Sequence, residues 1–154
     1  MRSVVFYASH SGNTERAASV IADALRAHGP VELAHVSDGP GAISDQVDLV
    51  VVGGPTEGHG IVPEMAEFLD SLPDHALAGR SAAAFDTRLN WPRWASGSAA
   101  VGIRERLELA GARAPVPIES FIVSMKPEIS DRELQRAGTW AASLVSRVMA
   151  PLTT

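Results

Sequence analysis

Val4-Val5-Phe6-Tyr7-Ala8-Ser9-His10-Ser11-Gly12-Asn13-Thr14 is the stretch on which the reading of this chain turns. Val4 to Ala8 reads as a buried strand, and Ser9 to Asn13 as a polar loop. From Thr14 onward, apolar residues at Ala17, Val20, Ile21, Ala24 and Leu25 keep helical spacing until Gly29-Pro30 supplies a stop. A strand, a short polar loop and an amphipathic helix, in that order, open a βαβ unit and predict a parallel sheet.

The alternation continues to the end of the chain. Val31 to Val36 reads as a second strand, its hydrophobicity diluted by Glu32 and His35 as an edge position permits. Asp38 to Gln46, rich in Gly and Ser, reads equally as a loop or a poor helix. Leu49-Val50-Val51-Val52 is the strongest strand, apolar on both faces and therefore central. A glycine-rich loop, Gly53 to Gly60, leads to a helix with Pro63 near its first position and Met65, Phe68, Leu69 and Leu72 on one face. Ser81 to Phe85 is predicted as a weaker fourth strand, Asp86 to Gly97 as a polar loop and Ala99 to Ala110 as a helix closed by Gly111. Val116 to Val123 is predicted as a fifth strand, placed at an edge because Pro117 cannot donate to a ladder. Ser130-Asp131-Arg132-Glu133 forms a capping box that opens a last helix, with Leu134, Ala137, Ala141, Leu144, Val145 and Val148 on one face and Trp140 in the core.

Five strands with right-handed crossovers leave few windings. A central third strand with weaker second and fifth strands fits an α/β, doubly wound, five-stranded parallel sheet of order 2-1-3-4-5, helices on both faces, within one domain spanning 1–154. Open sheets of that order bind ligands where the first and third strands part, which directs attention to the loops after Ala8 and Val52.

Composition narrows the chemistry. The 154 residues are 45% hydrophobic and 20% charged, a globular balance. A net charge of −5 argues against nucleic acid, whose phosphates demand a basic patch. The absence of cysteine excludes disulfides, zinc thiolates, iron–sulfur clusters and thiol nucleophiles. The short apolar run at the N-terminus does not suit a signal peptide, and no window approaches a membrane span, so a cytoplasmic protein is expected. No Ser-His-Asp arrangement presents itself, so no catalytic residue is assigned. Of five histidines, His10 and His59 fall on neighbouring loops, but two ligands make a poor metal site and none is expected.

In the loop Ser9-His10-Ser11-Gly12-Asn13-Thr14, hydroxyls, an amide and a glycine converge on a helix N-terminus. Unpaired N–H groups and the positive end of the helix dipole there suit a phosphate monoester. Arg16, one turn into the helix, is the nearest basic side chain, so dipoles carry most of the neutralisation. The same residues also serve as an ordinary helix cap and turn. Neither G-x-x-x-x-G-K-[ST] nor G-x-G-x-x-G occurs, which disfavours a P-loop or a Rossmann dinucleotide site. A receiver domain is disfavoured because Asp48 starts the third strand instead of ending it.

Ser9-x-Ser11-Gly12-Asn13-Thr14 resembles the FMN-phosphate loop of flavodoxins, and Gly53-Gly54-Pro55-Thr56 resembles their loop after the third strand. The resemblance implies non-covalent FMN. Ser9, Ser11, Asn13 and Thr14 would hold the phosphate, together with the main chain at His10 and Gly12. It implies that Pro55, Thr56, Glu57, Gly58, His59 and Gly60, with the loop from Asp86 through Thr87 and Arg88, enclose the flavin ring. With no insertion of about twenty residues in the fifth strand, the chain is similar to the short-chain type. Two departures stand out. Glu57 or His59 replaces the usual ring-side aromatic, and Phe85-Asp86-Thr87-Arg88 replaces Gly-x-Gly-Asp, resembling a subset of flavodoxin-like proteins. Trp91 or Trp94 is then the candidate stacking partner, and Arg88 and Arg93 either approach the ring and ribityl chain or lie on a solvated surface.

Three functions fit. The first is an FMN electron carrier working between a reductase and an acceptor protein. The second is an FMN enzyme reducing a quinone with NAD(P)H, which the modest net charge favours slightly. The third is a flavin-free interaction module on the same fold.

Overall fold

Alternation along the strands sorts side chains to the two faces of one sheet. In the computed structural model, which describes residues 1–38, 43–124 and 128–148, β1 (Ser3–Tyr7) lies between β2 (Val31–His35) and β3 (Leu49–Glu57). Beyond β3 follow β5 (Ser81–Leu89) and β6 (Glu119–Val123), all parallel, in the order β2-β1-β3-β5-β6. Among the described residues there is a sixth, two-residue strand, β4 (Gly60–Ile61), which folds back antiparallel on the end of β3. Without it the predicted winding is the observed one.

Val4, Phe6, Val50, Val52, Ala82 and Ala84 face one core, with Met65 and Phe68 of α2 (Pro63–Asp70) and Ile103 and Leu107 of α4 (Ala99–Leu109). Their neighbours Val5, Val51, Ala83 and Phe85 face the other, with Ile21 and Leu25 of α1 (Asn13–Arg26) and Ala137, Trp140 and Leu144 of α5 (Asp131–Val148). The Trp140 ring lies 6.0 Å from those of both Phe85 and Phe121 in edge-on contact, as helical spacing predicted for a core residue. Gly53 stands beside Phe85 in the register, and a Cβ there would lie 2.1 Å from the phenyl ring, so this glycine makes room for the largest side chain of β5.

Several boundaries differ from the sequence reading. β3 continues five residues beyond its apolar run, to Glu57, and β5 continues through Asp86, Thr87 and Arg88 to Leu89. The reason is mutual: Gly53, Gly54 and Pro55 pair with Phe85, Asp86 and Thr87, so each polar extension is laddered on the other. β6 starts at Glu119, after Pro117, and keeps the predicted edge position. Val36–Asp38 is a 3₁₀ turn, and residues 39–42 of the stretch read as loop or poor helix lie outside the described residues.

The capping box is half formed. Ser130 Oγ accepts the Glu133 N–H at 3.2 Å, but the Glu133 carboxylate accepts the Ile122 N–H at 3.0 Å and binds Arg136. Burial alone raises the Glu133 pKa; those bonds outweigh it and hold it below the ordinary value. Among the described residues no helix is long and apolar enough to cross a membrane.

Candidate functional site

The C-terminal edge of the sheet is stepped. β1 stops at Tyr7, while β3 and β5 run on to Glu57 and Leu89, and the loop from β1 to α1 sits in the notch this leaves. Ser9 closes that loop: its Oγ accepts the Gly12 N–H at 3.1 Å and the Glu15 N–H at 3.4 Å. Gly12 adopts φ +88, a left-handed conformation at the N-cap position of α1. Among the described residues the N–H groups of Ser11, Asn13 and Thr14 find no acceptor, and a Cβ at Gly12 would meet nothing within 4 Å. Free donors, open space and the positive end of a 14-residue helix coincide there.

Not every predicted ligand turns its side chain to that space. The buried Asn13 donates to Ser11 Oγ at 3.2 Å and accepts the Ile129 N–H at 2.9 Å, bracing the loop against the segment before α5. The buried Thr14 hydroxyl shares a 2.8 Å hydrogen bond with Thr87, from the polar extension of β5. Asn13 and Thr14 therefore offer main-chain donors, and Ser11 and Ser9 keep hydroxyl hydrogens to give.

Glu57-Gly58-His59-Gly60 is a tight hairpin turn. Gly58 and His59 take φ +55 and +68, the consecutive left-handed pair of a type I′ connection, which is costly for His59. No atom lies within 4 Å of a Cβ built on Gly58 or Gly60, so this turn, too, borders open space. Its rear is fixed by Gly97, whose backbone bridges His59 so closely that a Cβ would stand 2.1 Å from the His59 carbonyl oxygen. Pro55 is partly exposed, at the root of the turn.

Thr56 and Asp86 do something else. Thr56 Oγ1 accepts the Ala99 N–H at 2.9 Å, and Asp86 Oδ2 accepts the Ala100 N–H at 3.1 Å and the Ser98 hydroxyl at 2.5 Å. Ser98, at the N-cap position, makes no side-chain cap of its own, so two sheet residues cap α4 from a distance. Asp86 is 0% exposed, and its Oδ1 has no partner among the described residues. The expectation of a polar loop from Asp86 is thereby corrected: its first residues are buried strand.

The Arg88 guanidinium donates to the carbonyl of Trp91 at 2.5 Å and of Leu89 at 3.3 Å, tying down the chain just beyond β5. Arg93, which opens the one-turn helix α3 (Arg93–Ser96), donates to Ser120 Oγ at 3.0 Å. Both arginines thus bind protein groups, Arg88 half-buried and Arg93 on the exposed surface. Trp91 is 49% exposed and Trp94 86%, large apolar side chains left open to solvent just beyond β5.

His10 and His59 lie on the neighbouring loops to which the sequence assigns them, and both His10 ring nitrogens meet carboxylates, those of Glu57 and Glu64. Glu64 lies in the first turn of α2, 54 residues from His10, and nothing local in the sequence signals the pairing. Gly97, Ser98 and Ser120 likewise enter the site only through tertiary contact. Among the described residues no group of three or more His, Asp or Glu is arranged to hold a metal ion.

Residues 4–121 match a protein family described as a flavodoxin domain. No curated protein sequence matches significantly. Among solved structures, oxidised flavodoxin 1 of Bacillus cereus is 26% identical, with a TM-score of 0.80 over 95% of this chain and 98% of its own. A flavodoxin from the domain Archaea is 21% identical, with a TM-score of 0.78 over 96% of this chain and 99% of its own. The rubredoxin oxygen:oxidoreductase of Desulfovibrio gigas, 21% identical with a TM-score of 0.70, matches 97% of this chain with 37% of its own length. At that identity the last two speak for the fold.

Proposed function

The chain belongs to the flavodoxin family, and on that premise we propose that it is a cytoplasmic electron carrier holding FMN between the β1–α1 loop and the turn after β3 and passing electrons between two redox proteins. The family's cofactor is FMN, and the residues present fit it. The observation that carries the assignment is the set of amides at Ser11, Asn13 and Thr14 that find no acceptor among the described residues, beside the open space at Gly12 where α1 starts. Those amides, with the Ser9 and Ser11 hydroxyls, suit a phosphate. No arginine or lysine is needed, because the helix N-terminus supplies the positive end of its dipole.

The ring side follows from the same geometry. The Glu57–Gly60 turn offers main-chain groups beside open space, and Gly58 tolerates a change of peptide orientation at little cost. Trp91 and Trp94 supply exposed indole faces next to it, for the ring or for a partner's apolar surface. Bound FMN supplies redox chemistry that no side chain of this cysteine-free chain offers. Carriage is favoured over quinone reduction because the Arg88 and Arg93 guanidinium groups each bind protein oxygens, at Trp91, Leu89 and Ser120, which leaves fewer charged donors for a substrate.

Two measurements test this. The purified apoprotein is expected to quench FMN fluorescence with one-to-one stoichiometry; unchanged fluorescence would leave a flavin-free module. The holoprotein with NAD(P)H and a quinone is expected to show only background oxidation, and sustained turnover would establish the enzymatic reading.

A further inference from the structure

His10 is the one residue of the β1–α1 loop whose side chain reaches the far wall of the site. Its Nδ1 lies 2.6 Å from Glu57 Oε2, and its Nε2 meets Glu64 Oε1. A neutral imidazole has one N–H and one lone pair, so between two ionised carboxylates it would donate to one and oppose the other. The imidazolium donates to both. The arrangement thus selects the protonated ring, and it joins three segments at once: the loop before α1, the hairpin turn after β3 and the first turn of α2.

We propose that His10, held as imidazolium by Glu57 and Glu64, is a positioning residue that closes the Glu57–Gly60 turn onto the β1–α1 loop, so that flavin binding is coupled to one proton on this ring. The inference rests on the flavin reading above and adds a linkage to it. The charges acting on the ring come from both elements packed against it, Glu57 at the end of β3 and Glu64 on α2. The pKa is raised, first by the Glu64 hydrogen bond, against a smaller opposing effect of burial, and then by the charges of Glu57 and Glu64 and the Glu57 bond. Loss of the proton leaves one carboxylate facing a lone pair. The turn stays bridged to Gly97 at its rear, so what loosens is its contact with the β1–α1 loop, where among the described residues no other side-chain bond joins the two. Deprotonation also removes a positive charge from the loop assigned to the phosphate. Both consequences weaken binding as pH rises.

The sign is therefore fixed. Affinity is highest while His10 is protonated and falls as pH climbs through its raised pKa. Riboflavin is the better probe, because it lacks a phosphate that titrates in the same range. Between about pH 6 and about pH 9 the wild-type dissociation constant for riboflavin is expected to rise about three- to tenfold, one proton setting the upper slope at about tenfold per pH unit. His10→Gln should bind with a flat profile, near the wild-type value at high pH, and Glu64→Gln should show a reduced slope. A ligand-free readout runs in parallel: in the apoprotein at neutral pH, nitrogen-edited NMR should show His10 protonated at both ring nitrogens. A neutral His10 ring in that spectrum, a flat wild-type profile, or a His10→Gln profile that matches wild type overturns the coupling while leaving flavin binding intact. Failure to bind riboflavin or FMN at any pH overturns the flavin reading, and the coupling with it.

Discussion

The loop that leaves β1 and the segment that ends β5 are both runs of polar residues at the same edge of the sheet, yet their groups are used in opposite ways. In the first, Ser9 and Asn13 brace the loop, and among the described residues the amides of Ser11, Asn13 and Thr14 are left without an acceptor. In the second, Asp86 and Thr87 are buried, one capping α4 and the other bonded to Thr14, and only beyond Leu89 does the chain expose tryptophans. The difference teaches that a polar residue after a strand offers itself to a ligand only where no helix end or neighbouring strand claims it first. On the proposed reading, one region is a binding face and the other is the frame that holds it.

If that contrast is right, damage to the end of β5 appears as lost stability, and damage to the β1–α1 loop as lost affinity. The largest effect is expected at Phe85, fully buried against Gly53 and 5.8 Å from the Phe121 ring. Phe85→Ala should lower the free energy of urea unfolding by about 3–5 kcal/mol. Gly53→Ala should cost about 1–3 kcal/mol by overpacking the same ring, and much less in a Phe85→Ala background. Additive costs in the double variant would show that the two positions do not share one volume.

Asp86→Ala comes next, at about 2–3 kcal/mol, because it leaves the Ala100 N–H and the Ser98 hydroxyl without their acceptor. Asp86→Asn, which keeps one acceptor oxygen, should lose less. Should either variant leave stability unchanged while weakening FMN, Asp86 would move from the frame to the binding face.

What was legible in the chain follows the same division. The β1 loop could be placed because its logic is local: a strand, a glycine and a helix N-terminus fall within a dozen residues; that the Asn13 and Thr14 side chains turn into the protein could not, because Ile129 and Thr87 arrive later in the chain. Trp140 could be placed because helical spacing alone sets it on the buried face of α5. Asp86 and Thr87 could not be placed, because whether they continue a strand depends on Gly54 and Pro55 across the ladder and on an α4 end that arrives later in the chain. The His10–Glu64 contact was invisible for a similar reason: 54 residues separate them, and neither has a local pattern that names the other. Composition identified the polar groups; only register assigned them.

Affinity effects should follow in the β1 loop. Ser11→Ala removes a hydroxyl beside the free amides and is expected to weaken FMN about tenfold, equivalent to about 1.4 kcal/mol, with little change for riboflavin, which has no phosphate. Thr14→Val removes the bond to Thr87 but keeps the amide, so it should lower stability by about 1 kcal/mol and affect both ligands alike. Equal losses of FMN and riboflavin in Ser11→Ala would place the phosphate elsewhere. Titrating both ligands into both variants reads the two regions against each other in a single experiment.

The smallest stability change is expected where the side chain is largest. Trp94, 86% exposed on the short helix α3, touches little of the folded chain, so Trp94→Ala should shift the unfolding free energy by no more than about 0.5 kcal/mol. Trp140→Ala, by contrast, should cost about 3–5 kcal/mol, since its ring meets both Phe85 and Phe121. Exposing an indole without stabilising the fold calls for another use, and the proposed flavin site offers one. If Trp94 packs on the ring, Trp94→Ala weakens riboflavin and FMN equally, because stacking is indifferent to the phosphate. If it serves a partner protein, binding of both flavins is unchanged and electron transfer to that partner slows. A large loss of stability on removing Trp94 would fit neither use and would mean that the segment after β5 is frame throughout.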